Sequence, residues 1–115
     1  MSSNSSGVKY DAGKAPIVQG CIHYFPKALL AVSEVSAYGA NKYKVPFNDK
    51  NWMRLDGAFN RYTDGLGRHL ALEGLEQTDS GEYDPTGQPG SNLLHAAHAA
   101  WNALARLELL LTETK

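Results

Sequence analysis

The chain has 115 residues, enough for one small domain with a core and too few for two. Hydrophobic residues make up 43% and charged residues 20%, the proportions of an ordinary globular protein. Eleven Lys and Arg against twelve Asp and Glu leave a formal charge of −1, which argues against stable binding to nucleic acid or to an anionic membrane surface.

The opening MSSNSSGV is polar and lacks the apolar stretch of a secretion signal, so residues 1–8 are expected to be a disordered tail. Residues 9–115 then form a single helical domain. Cys21 is the only cysteine, which excludes an internal disulfide and suits the cytoplasm. No apolar run approaches the length of a membrane span. In the segment KYDAGKAPIVQGCIHYF, Gly13, Pro16 and Gly20 interrupt any long period and leave room for one short helical turn.

Pro26 suits the first position of a helix over residues 26–43, with Ala28, Val32, Val35 and Gly39 as its apolar seam. Residues 44–57 read as a loop carrying an exposed aromatic, Trp52. Asp56 is placed to cap a second helix over 58–76, in which Phe59, Tyr62, Leu66, His69 and Glu73 share one side. Arg61, Asp64 and Arg68 lie beside that face, at a spacing that also suits a plain intrahelical ion pair. Residues 78–90 are loop by composition, and Ser91 is a natural N-cap for a third helix over 91–111. The expected fold is all-α: a small bundle of three long helices. The third helix is apolar almost all round, so a second subunit is expected to cover part of it, giving a homodimer or homotetramer.

On that third helix His95, His98 and Asn102 form the one polar stripe, at i, i+3 and i+7. A buried imidazole or amide costs free energy unless something satisfies it. Core histidines bonded to backbone and a ligand site are equally compatible with the stripe alone. Imidazole combined with the carboxylates of the second helix suits a divalent ion. Glu34 reads as a surface residue from its spacing. Lys14, Lys42 and Lys44 are placed to reach phosphates as point charges, although no Walker glycines are present. The acidic loop Asp79, Glu82, Asp84 does not match a calcium loop and reads as solvated; closing over a pocket, it would supply a metal ligand.

The segments KYDAGKAP, EVSAYGANKY, NW, RYTDGLGRHL, GEYDPTG and HAAHAAWNALARLELL occur in that order. Together, over residues 9–111, they resemble the phage-encoded dATP/dGTP diphosphohydrolases, small all-α enzymes related to MazG-type nucleotide pyrophosphohydrolases. The resemblance implies hydrolysis of a purine deoxynucleoside triphosphate to monophosphate and pyrophosphate in the host cytoplasm, with Mg²⁺ or Mn²⁺ (or Co²⁺) held by acidic residues on two facing helices. This chain departs from the Glu-x-x-Glu and Glu-x-x-Asp pairs of MazG-type enzymes. It carries His95-x-x-His98 on the third helix, and Asp64, His69 and Glu73-x-x-Glu76 on the second.

For such a reaction the expected metal ligands are Glu34, Asp64, His69, Glu73, His95 and His98. Glu34, Asp64 and His95 are the expected catalytic groups. Lys14, Lys42, Arg61 and Arg68 are expected to meet the phosphates, Tyr43 and Trp52 the base, and Asn102 the substrate. The rival reading is a non-catalytic helical nucleotide-binding or interaction protein with a buried His/Asn network.

Overall fold

The computed structural model describes residues 12–113; the tail at 1–8, Lys9 and Asp11 lie outside them. A single wide π turn, Val18–Ile22, precedes α1, Pro26–Tyr43, which begins with proline at its first position as expected. Lys44 ends α1 in the left-handed conformation (φ 56°), and Val45 N–H returns to the Ala40 carbonyl at 3.0 Å. Two short 3₁₀ turns, Phe47–Asp49 and Asn51–Arg54, carry the chain to α2, Ala58–Glu73. α3, His95–Glu113, closes the fold. Among the described residues the sole extended pairing is an isolated bridge between Thr78 and Leu94. The all-α expectation holds.

Three details depart from it. Asp56 makes no capping bond; Gly57, with φ 67°, precedes α2 instead and turns the chain in a conformation that glycine tolerates. α2 stops at Glu73, with Gly74 as its cap, rather than continuing to Glu76. α3 starts at His95, four residues after Ser91. Residues 91–95 pair with 77–79 first: Asp79 N–H bonds Leu93 O (2.8 Å), Asn92 N–H bonds Asp79 O (2.8 Å) and His95 N–H bonds Gln77 O (3.0 Å). Asn92 sits in the left-handed conformation (φ 63°) and the Leu93 carbonyl is taken by Asp79 N–H, so the helix begins after them.

α3 is the central element, with α2 packed closely along it and α1 beside it. α2 and α3 run antiparallel, because Thr63 meets Arg106 while His69 meets His95. Their close approach is at Gly65, where the Asn102 amide fills the space a side chain would take. Trp52 is half-buried and packs edge-on against Trp101 (5.7 Å), which also meets Tyr62 (5.3 Å). The Trp101 indole N–H donates to Ser36 Oγ of α1 at 2.9 Å, satisfying its one polar atom. Burial pushes the Tyr62 hydroxyl up to about 12, and it donates to the Trp52 carbonyl at 2.7 Å.

Candidate functional site

The stripe on α3 lies at the end of the bundle where α2 stops and the 74–94 loop returns. His95, His98 and Asn102 are all buried, and His95 is completely so. Gly74 ends α2 one turn early, so Glu76 leaves the helical path and turns towards α3. Its Oε2 lies 2.9 Å from His95 Nε2. On its other side the Ser80 hydroxyl donates to Oε1 (2.6 Å) and Ser80 N–H to Oε2 (3.2 Å). The Ser80 hydroxyl bond, followed by the His95 contact, holds the Glu76 carboxyl below its ordinary value and favours the anion.

Asp79 is brought in by the clasp. Its main chain is bonded to residues 92 and 93, and its carboxylate sits with Glu76 and His95 so that one donor atom from each lies within 4.8 Å of the others. Two carboxylates and an imidazole form a donor set for a divalent cation. Mn²⁺ and Co²⁺ accept imidazole with carboxylate readily, whereas Mg²⁺ favours oxygen alone. The buried His95 ring, grouped with the carboxylates of Glu76 and Asp79, therefore fits a metal ligand.

The other two histidines frame this group. His69 Nδ1 faces His95 Nδ1 at 2.9 Å, so the two rings share a proton and His69 orients His95 from behind. His69 also stacks on His98, with centroids 4.4 Å apart and planes within 8°. Burial, with the neighbouring His98 and His95, pushes His69 down to about 4. Burial likewise lowers His98, against the attraction of Asp79. His98 Nε2 is bonded to Ser91 Oγ at 2.7 Å and its ring meets Tyr38 edge-on.

Positive charge reaches the neighbouring histidines. The Lys42 charge reaches His98, the Arg68 charge reaches His69, and both reach Asp84, whose carboxyl is held down chiefly by two bonds from Thr86. The Lys42 ammonium also lies 5.5 Å from the Tyr43 ring, and Tyr43 is exposed.

Of the expected ligands, then, the structure brings His95, His69 and His98 to one place, with His95 alone in the donor group. Glu34 is exposed on α1, and Asp64 and Glu73 are exposed on α2; none belongs to that group. Glu76 and Asp79 stand there instead. Of the acidic loop, Asp79 comes to the donor group. Glu76 was reachable from sequence through Gly74, a helix stop placed two residues before it. Lys14 and Arg61 are exposed, and neither is in the donor group. Two expected substrate contacts have partners within the fold. Asn102 Nδ2 donates to His98 O at 2.8 Å while its amide packs on Gly65, so it is buried between helices. Trp52 gives its ring to the Trp101–Tyr62 cluster.

A family model described as dATP/dGTP diphosphohydrolase, N-terminal, matches residues 4–115. No curated protein and no solved structure matches the chain significantly.

Proposed function

The chain belongs to the dATP/dGTP diphosphohydrolase N-terminal family, and from that premise we propose that it hydrolyses purine deoxynucleoside triphosphates to monophosphate and pyrophosphate with a divalent ion held at Glu76, Asp79 and His95. The observation that carries this reading is the buried His95 grouped with the carboxylates of Glu76 and Asp79, in a cluster of histidines that the Lys42 and Arg68 charges reach.

A bound divalent ion supplies charge neutralisation on phosphate oxygens and makes water more acidic. The chain's own residues supply the rest. Lys42 and Arg68 offset charge on the departing pyrophosphate, and Arg68, a planar donor, suits a phosphate edge. His69 fixes the His95 ring through the Nδ1 contact, and Ser80 fixes Glu76. The exposed Tyr43, already beside Lys42, is placed to meet the base. A second copy of the chain, packed on the exposed leucines of α3, completes the assembly.

Incubating dGTP or dATP with the protein and Mg²⁺, Mn²⁺ or Co²⁺ is expected to release monophosphate and pyrophosphate in equal amounts. No turnover of either nucleotide with any of the three ions would overturn the proposal.

A further inference from the structure

Ser91 stands in front of α3 with a hydroxyl suited to capping, yet the helix begins four residues later and the hydroxyl is used elsewhere. Its Oγ lies 2.7 Å from His98 Nε2, accepts Leu93 N–H at 3.1 Å, and lies 3.4 Å from Asp79 Oδ2. Ser91 N–H reaches the same Oδ2, also at 3.4 Å. A hydroxyl has one hydrogen and two lone pairs. With Leu93 N–H on one lone pair and His98 in its Nε2–H tautomer on the other, the O–H is left for Asp79 Oδ2, to which Ser91 Oγ donates. Both Ser91 donors then converge on Oδ2 of the carboxylate that is grouped with Glu76 and His95.

We infer that Ser91 is a positioning residue for the metal site: it ties Asp79 to the buried His98 and so sets the direction from which Asp79 meets a cation. The inference rests on the metal reading above and adds to it a residue outside the ligand set. The chain His98–Ser91–Asp79 joins α3 to the loop by side chains, as the 77–79 to 91–95 clasp joins them by backbone. Both bonds to Oδ2 are long, so Ser91 guides the carboxylate without clamping it. Partners that orient a metal ligand change affinity by about 10- to 100-fold when removed.

The test is calorimetric titration of the intact chain with Mn²⁺ alone, for the wild type, Ser91→Ala and Ser91→Thr, with helix content followed by circular dichroism. Ser91→Ala is expected to weaken Mn²⁺ binding about tenfold or more at unchanged helicity, and Ser91→Thr, which keeps the hydroxyl, to restore most of it. Wild-type affinity in folded Ser91→Ala would overturn the role of Ser91 and leave the metal site standing. Absence of Mn²⁺ binding in the wild type would overturn the metal site itself, and this inference with it. Should Ser91→Ala lose helicity, Ser91→Cys decides on the same scale, since a thiol is a weaker donor of similar size. Weakened binding supports the role, and wild-type affinity overturns it.

Discussion

Three imidazoles crowd together between α2 and α3, and their proton affinities follow from that crowding. His69 is packed face to face with His98 and nose to nose with His95, so a proton added to it is poorly solvated and repelled. In the unfolded chain it binds a proton near 6.5; in the folded chain it does so only near 4. Between those values the unfolded state holds more protons, so stability rises with pH across that window. The contribution is complete above about 6.5 and is lost as pH falls towards 4. His98 is shifted in the same direction and adds to the slope. Glu76 works lower on the scale: its depressed carboxyl contributes above 4.5, and that contribution disappears as pH falls through the folded value. Thermal melts from about pH 7 down to about pH 4.5 are expected to show a falling midpoint, flattened in His69→Asn. An equal slope in that variant would mean that another group drives the acid sensitivity.

Among the helices, the α2–α3 crossing depends on a glycine. A Cβ on Gly65 would lie 2.7 Å from Asn102 Oδ1 and 3.2 Å from its Cγ. Asn102 is buried and held by its bond to His98 O, so it has little freedom to retreat. Overpacking of this kind costs about 1–3 kcal/mol, against about 1 kcal/mol that alanine returns in helix propensity. Gly65→Ala is therefore expected to lower the melting midpoint. Gly67 lies two residues on, exposed, with nothing within 4 Å of its would-be Cβ. Gly67→Ala is expected to stabilise the protein by about 0.5–1 kcal/mol. Denaturant unfolding of the pair checks both signs, and stabilisation by Gly65→Ala as well as by Gly67→Ala would show that the crossing is not tight.

The elements also show what could be read from the sequence. α1 was legible to the residue, because Pro26 opens it and the apolar seam runs to Gly39, within one turn or so of its end. The end of α2 and the start of α3 were not. Periodicity continues through Glu76 and begins at Ser91, but the clasp between 77–79 and 91–95 is a tertiary bond set that takes precedence over both. The site inherits that difference. His95, His98 and His69 were found because helical spacing aligns them, while Glu76 and Asp79 reach the group through non-helical backbone that no period describes.

At the scale of the whole molecule, the described core is slight. Its buried hydrophobic residues are Val35, Leu109 and four alanines, and its one fully buried large side chain is His95. Meanwhile Leu104, Leu107 and Leu110 remain 48%, 51% and 45% exposed along α3. Burying a leucine contributes about 1.5–3 kcal/mol, so a second copy on that face would add what the single chain lacks. Sedimentation is expected to show a dimer or tetramer, and Leu107→Asp to shift it towards monomer with a lower melting midpoint. A monomeric wild type would contradict this.

On the proposed reading, hydrolysis depends on the gathering of Glu76 and Asp79 at the buried His95. Pyrophosphate release from dGTP at saturating Mn²⁺, compared between the wild type and folded Asp79→Asn, tests it most directly. Loss of a carboxylate ligand is expected to slow release by on the order of a hundredfold or more. Equal rates in the two proteins would contradict a metal-centred site at this corner.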